Sequence, residues 1–539
     1  MKSNSKDNLP NRGGCDFIES SNSKQTDGPT GRSRGNYMQM KIIVNIVTCL
    51  LTILVFTTSC KKEDAAYTEI QQVSIAGIED KYFLLNTESL TIRPELTQGG
   101  RPISEDNFEF LWMNLGDASI TTNFNDVDTL TRTADLTDKT FKLASKTYSF
   151  LFKMTEKATG ISYSKKIDVE IASEFRSGFM VLTEANNTSR LDMVVDRNGT
   201  FYSVNDILSR SGSALHLQGR SLFLSRVTNP FTGDAFYIGT SEGTNKVDLE
   251  TFAYKPSMNV VYEFMTGNFT PDNFKPQNMT EGFMDATTLF QDNNIYVTSL
   301  GGGAFDVPIN NFGQGNTRFK ASKWMAPYMT STYQSNFILF DEDAQKFYNY
   351  RNEALGVSEL PTGTKFDYHI KKQLVYMGFS ANNTGEIFAV LKDNNVAKYY
   401  LARFSAGYRT TVGEQISFDV LDLPEIEKAS HFAISKTFGY LFYAVGDKLY
   451  SYDAGNRTVQ VARSYPGRRI SYIRVDLPHF LFSKESDFEG MLYVATYEEG
   501  NTDTSGQIDV LEPTAVQGPM TLHHQFKGLG KVVDILRLY

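Results

Sequence analysis

The chain has 539 residues, 53 Lys+Arg against 62 Asp+Glu, a formal net charge of -9 and 13% aromatic side chains. That acidic balance excludes nucleic acid as the natural partner, because phosphate binding needs a basic face. The three cysteines, Cys15, Cys49 and Cys60, all lie near the start, which excludes a disulfide framework, a cysteine zinc site and a catalytic thiol from everything downstream.

Residues 1–37 are polar, rich in Ser, Asn and Gly, and hold no apolar run that could begin a core. They read as a non-native or disordered N-terminal extension, with translation starting at Met38 or Met40. Residues 38–59 read as an export signal. Lys41 supplies positive charge, Ile42 to Phe56 is mostly apolar, and Thr57-Thr58-Ser59 are small. The run is too short and ends too abruptly for a membrane-spanning helix.

Cys60 follows at once, in "FTTSCKKED". This stretch resembles a bacterial lipoprotein signal, in which the small-residue box is cut and the next cysteine is lipidated. Thr57 departs from the pattern, since many such boxes carry leucine there. An ordinary secretory signal that happens to contain a cysteine is the alternative. The resemblance makes Cys60 the lipid attachment point. Removing residues 1–59, with seven Lys+Arg and four Asp+Glu, takes the net charge to -12. Residues 60–66 form a tether. Within it Lys62, Glu63 and Asp64 look like the signal that sends Bacteroidota lipoproteins to the outer face of the outer membrane; the alternative is a solvated charged linker.

Residues 67–173 read as a small antiparallel β domain. Tyr148, Phe150, Phe152 and Met154 alternate with mostly polar neighbours. A turn through Lys157-Ala158-Thr159-Gly160 then leads to Ile161, Tyr163, Ile167, Val169 and Ile171. Period-two alternation puts each set on one face of a hairpin. Leu90-Ile92 and Phe108-Phe110-Trp112 repeat the pattern, with Trp112 expected between two sheets. About seven short strands over roughly a hundred residues fit an immunoglobulin-like sandwich.

The order "VSIAGIEDKYFL", "LTIRPEL", "FEFLWMN", "YSFLFKMTEKATGISYSKKIDVEI" resembles the PKD-like lipoprotein family of Bacteroidota. The resemblance implies an N-terminal PKD-like sandwich, a C-terminal β-propeller, and company with SusC/SusD-type outer-membrane importers. It supplies no catalytic residues.

Residues 174–539 change texture to repeated aromatic strands. Starts are expected at Phe179, Phe236, Ile295, Phe337, Ile387, Leu441 and Leu492, separated by 57, 59, 42, 50, 54 and 51 residues. A recurrence of roughly forty to sixty residues is what propeller blades give. In the sixth unit "LFYAV", Gly446-Asp447 and "KLYSYD" predict a hairpin, followed by the strand "TVQVARS". The terminal "GKVVDILRLY" and the early "FMVLTE" are candidates to close one blade together. The fold class is therefore all-β, a sandwich followed by a propeller of about seven blades, with six, eight, or two unrelated β domains as alternatives.

Little in the sequence points to chemistry. The six histidines form no His-x-x-x-His pair, and adjacent His523 and His524 on a strand face opposite ways, so no metal site is expected. "SLGGGAF" lacks the Gly-Lys-Ser/Thr ending of a phosphate loop, "FDEDAQKF" reads as a hairpin turn, and no Gly-x-Ser-x-Gly elbow occurs. No catalytic residue and no cofactor is expected. Trp324, Tyr328 and Tyr333, in "KWMAPYMTSTYQ", are the candidate ligand-binding rings, placed on a rim loop, with blade packing as the competing use.

The leading reading is a non-enzymatic, lipid-anchored protein of the cell surface that helps an importer capture peptides or oligosaccharides. A propeller glycan hydrolase or lyase, and an adhesin or structural scaffold, are the alternatives.

Overall fold

The computed structural model describes residues 72–538 except 86–87, 119–126, 142, 144, 173–174, 176, 198, 228–234, 266–268, 283–285, 299–303, 314–316, 330–334, 352–353, 355, 408–409 and 477–486. Cys60, Lys62, Glu63, Asp64 and Tyr333 lie outside the described residues. Gln72–Tyr539 is one compact unit, nearly all strand, and no helix among the described residues is long and apolar enough to cross a membrane.

The first strands build a sandwich. Its main sheet has five strands in the order Lys81–Leu85, Ser162–Ala172, Lys146–Glu156, Phe108–Asp117, Asp128–Thr131. The expected hairpin is its centre: Phe152 pairs with Lys165 and Phe150 with Ile167. Lys81–Leu85 runs parallel to Ser162–Ala172, a pairing that the expected antiparallel pattern did not include. Two smaller sheets face it, one from Val73–Ala76, Glu95–Gln98 and Arg101–Pro102, the other from Ser89–Ile92 and Leu136–Thr140. The period-two residues meet inside. Trp112, Phe150, Phe152 and Met154 are fully buried, and the Trp112 indole N–H donates to the Ala134 carbonyl at 3.0 Å, which satisfies the one polar atom of an otherwise apolar ring.

Seven further sheets follow in chain order and form a closed ring of blades. Blade 1 is completed from both ends of this region: the C-terminal strand Lys531–Leu538 lies innermost and pairs antiparallel with Gly178–Ala185, outside which lie Thr188–Arg197 and Thr200–Val204. In blades 2 to 7 the innermost strand comes first. These strands are Ser221–Val227, Asn278–Glu281, Ala326–Met329, Gln373–Ser380, His431–Ile434 and Arg469–Val475. Among the described residues, blades 2 and 3 have three strands and the rest four.

Each pair of adjoining blades shares an apolar cluster. One example is Val390 and Leu401 of blade 5 against Leu441 and Tyr443 of blade 6; another is Phe179 and Ile535 of blade 1 against Tyr493 and Val510 of blade 7. A sheet packed on both faces needs near-continuous apolar strands, which is why "FILF", "IFAVL" and "LFYAV" stood out. All seven expected strand starts lie in strands, one per blade. Six are second strands from the axis, but Ile295 belongs to the third strand of blade 3, Asn294–Val297, its true counterpart being Thr287–Gln291. That shift explains the uneven spacings of 59 and 42. The blade 6 hairpin turns through Gly446 at φ 58°, a left-handed conformation that glycine adopts without penalty.

Gly178 opens blade 1 at φ 127°, and a Cβ built there would lie 2.0 Å from the Val194 carbonyl oxygen. Gly178→Ala is expected to cost on the order of 2–3 kcal/mol, read as a drop in the urea midpoint; an unchanged midpoint would contradict this backbone path.

Candidate functional site

The seven innermost strands enclose an axial channel of about 600 Å³. A strand presents alternate side chains to one face, so each blade sends every second residue toward the axis and packs the others between blades. In "QLVYMGFS" that gives half-buried Tyr376 and Gly378 alternating with buried Met377 and Phe379. In "RISYIRV" it gives half-buried Tyr472 and Arg474 between buried Ser471, Ile473 and Val475.

One sector of the wall, on blades 4 to 7, is aromatic. The Trp324 ring meets Tyr376 edge-on at 4.9 Å, Tyr376 stacks on Phe432 at 5.7 Å, and His431 meets Tyr472 at 6.0 Å. Burial pushes the Tyr376 hydroxyl up to about 12, so it stays a neutral donor. Burial also takes the His431 imidazole down to about 4, helped by the charges of Lys323 and Lys531, so it is neutral at pH 7.

The other sector, from blade 7 through blades 1 and 2 to blade 3, is ionic. Arg474 pairs with Asp534 at 3.5 Å and Arg537 with Asp476 at 3.2 Å, both across the seam between blades 7 and 1. Asp534 also accepts from the Leu224 N–H of blade 2 at 2.8 Å, and Glu281 of blade 3 accepts from the Arg226 N–H at 2.6 Å. Burial raises the Asp476 carboxyl to about 6, against the opposing pull of Arg537 and Arg474.

These two shifts oppose each other in acid. His431 takes a proton near 6.5 when unfolded but near 4 when folded, so it removes stability as the pH falls from 6.5 to 4. Asp476 is protonated near 6 when folded but near 3.8 when unfolded, so it adds stability as the pH falls through nearly the same window. Each is worth on the order of 2–3 kcal/mol across its full range. Between pH 7 and pH 4.5, His431→Gln should therefore gain urea resistance relative to the parent, and Asp476→Asn should lose it. Identical pH slopes in all three would refute the assignment.

Of the residues singled out in the sequence, Trp324 lines this channel, just before the innermost strand of blade 4 rather than on an outer rim loop. Tyr328 does not: it sits on that strand at 0% exposure, its hydroxyl donating to Asn349 Oδ1, and its ring belongs to the apolar core between blades 4 and 5. It faces the blade because it stands an even number of positions from Ala326, which is also buried. His523 and His524 do face different partners, Glu512 at 2.9 Å and the Phe201 and Phe488 rings. "FDEDAQKF" is a hairpin turn, with Asp341 Oδ1 accepting from the Asp343 and Ala344 N–H groups. Among the described residues no group of three His, Cys, Asp or Glu side chains is placed to hold a metal.

Sequence reasoning passed over Tyr376, His431, Tyr472, Arg474 and Asp534. Their signal was a charged or hydroxylated residue inside an otherwise apolar strand, as in "RISYIRV" and "KVVDILRL".

Fold and channel together define the class: a β-sandwich joined to a seven-bladed β-propeller with a channel along its axis. Residues 62–217 match the PKD-like family, a span covering the sandwich and the first strands of blade 1. No curated protein sequence matches the chain. Among solved structures, a quinonprotein alcohol dehydrogenase-like protein from Bacteroides thetaiotaomicron is similar at 15% identity, over 87% of this chain and 99% of that one, with a TM-score of 0.41. Lignostilbene dioxygenase from Pseudomonas brassicacearum is similar at 9% identity, over 68% and 92%, with a TM-score of 0.37. YCF48 from Cyanidioschyzon merolae follows at 13% identity, over 59% and 92%, with a TM-score of 0.33.

Proposed function

We propose that the protein is a non-enzymatic capture module, held on the outer face of the outer membrane by a lipid on Cys60, that delivers a peptide or oligosaccharide to a SusC/SusD-type importer. The observation that carries the reading is the channel wall. Its aromatic sector offers ring faces and neutral hydrogen-bonding groups, while Asp534, Asp476 and Glu281 are engaged with arginines or backbone N–H groups of neighbouring blades. A wall whose charges are spent on holding its own shape suits binding, since a preformed concave site with few polar anchors is what small ligands use. The lipid anchor in this reading rests on the resemblance of "FTTSCKKED" to a lipoprotein signal.

The test is purification from outer membranes in mild detergent. Importer subunits are expected to come away with the protein; recovery of the protein alone would remove the accessory role.

One observation favours a second reading. A carboxyl at about 6, such as Asp476, falls in the range of a general acid, and a glycan hydrolase or lyase needs one. Incubation with mixed glycans and peptides decides between them: turnover that disappears in Asp476→Asn would establish the enzyme, and unchanged substrates support the binder.

A further inference from the structure

Among the described residues that line the channel, Lys323 and Ser430 are exposed, and Lys323 is the charged one of the two. It stands where the wall meets solvent, with its ammonium 4.8 Å from the centroid of the Trp324 ring. Two arginines of the wall have carboxylates at hand: Arg474 has Asp534 and Arg537 has Asp476. Lys323 faces an aromatic ring instead, and its charge is felt inside the channel, where together with Lys531 it disfavours a charged His431. An ammonium at the entrance attracts anions at short range, because the field of a cleft depends on the charges lining it.

Neutral polar groups share the wall with this cation. Asn278 donates from Nδ2 to the Lys323 carbonyl oxygen at 3.1 Å, which fixes the lysine backbone against blade 3. Ser430 bonds to His431 Nδ1 at 3.0 Å, and the Tyr376 hydroxyl keeps its proton. Hydroxyl, amide and imidazole groups beside a ring face match a ligand rich in hydroxyls with a flat C–H face. A peptide would instead call for apolar side-chain pockets and exposed backbone partners.

We propose, resting on the capture reading above, that the channel entrance binds carboxylated saccharides, with a uronate carboxylate on the Lys323 ammonium and the adjoining sugar ring against Trp324. A charge-assisted contact of this kind is stronger than a neutral hydrogen bond and weakens with salt. The neutral groups of the aromatic sector then take the ring hydroxyls.

The experiment titrates the full-length protein with a panel of oligouronates, the same oligomers with their carboxyls reduced to alcohols, and glutamate-containing peptides. Trp324 fluorescence and calorimetry are both followed. At least one oligouronate is expected to bind at least tenfold more tightly than its reduced form, with affinity falling as salt rises. Lys323→Met should abolish that preference and Lys323→Arg should retain most of it; the residue is exposed, so neither change should disturb folding. If reduced sugars or peptides bind equally well and perturb Trp324, the carboxylate assignment is wrong and the channel remains the site. If ligands bind without perturbing Trp324 and Lys323→Met has no effect, the channel itself is not the site. Binding of none of the three ligand sets at millimolar concentration overturns the proposal.

Discussion

Replacing Asp534 with alanine is expected to lower the unfolding free energy by about 2–3 kcal/mol, less than the cost for a fully buried ion pair because Arg474 is half-buried. Asp534 is 6% exposed and acts in two directions: one oxygen faces Arg474 of blade 7, the other accepts from the Leu224 N–H of blade 2 at 2.8 Å. Its loss takes the carboxylate from the half-buried Arg474 guanidinium, which keeps only the Ile535 carbonyl at 3.0 Å among these acceptors, and leaves the buried Leu224 N–H without its acceptor at the place where the ring closes. Asp534→Asn should cost less, because an amide oxygen can still serve Leu224. The pair Asp534→Leu with Arg474→Met should recover much of the loss, since two apolar side chains leave no charge stranded. Urea titration followed by intrinsic fluorescence reads all three. An alanine variant within about 1 kcal/mol of the parent would mean that the seam between blades 7 and 1 is held by its apolar cluster alone.

The second large effect concerns location. With serine at position 60, the fraction of protein retained by carbonate-washed envelopes should fall by more than about a hundred-fold, because acyl chains contribute about 0.8 kcal/mol per buried CH₂ and the wash strips a contact made only through the importer. Replacing Lys62, Glu63 and Asp64 together by alanine should leave sedimentation unchanged but reduce digestion by protease added to whole cells. The two variants separate anchoring from display. A serine variant that carbonate-washed envelopes still retain would remove the lipid from the reading.

The sequence disclosed most of the fold because a blade's second strand is buried on both faces. Such strands appear as aromatic, aliphatic runs that recur, and Phe337, Ile387, Leu441 and Leu492 marked four successive blades. The innermost strands were harder to see. One of their faces borders solvent, so Tyr472 and Arg474 read as an ordinary half-exposed alternation. Their importance depends on seven strands, drawn from 311 residues between Leu224 and Asp534, converging on one axis, and no local pattern encodes that convergence. Tyr328 shows the same limit in reverse: a conspicuous ring near a proline-containing loop was placed at a rim, whereas strand parity turns it inward to the blade core. Trp324, four residues earlier in the chain, reaches the channel because it precedes the strand and escapes that packing.

The final strand carries a kinetic consequence. Lys531 meets Glu184 across a separation of 347 positions, and closing a loop of that length costs roughly 5 kcal/mol of chain entropy before any contact repays it. Six blades can pair their strands locally as the polypeptide emerges, but the first must wait with an open edge until Lys531–Leu538 arrives. Chains are thus most prone to sticky edge-to-edge association until Lys531–Leu538 is in place, and deleting that strand would leave every molecule in that state.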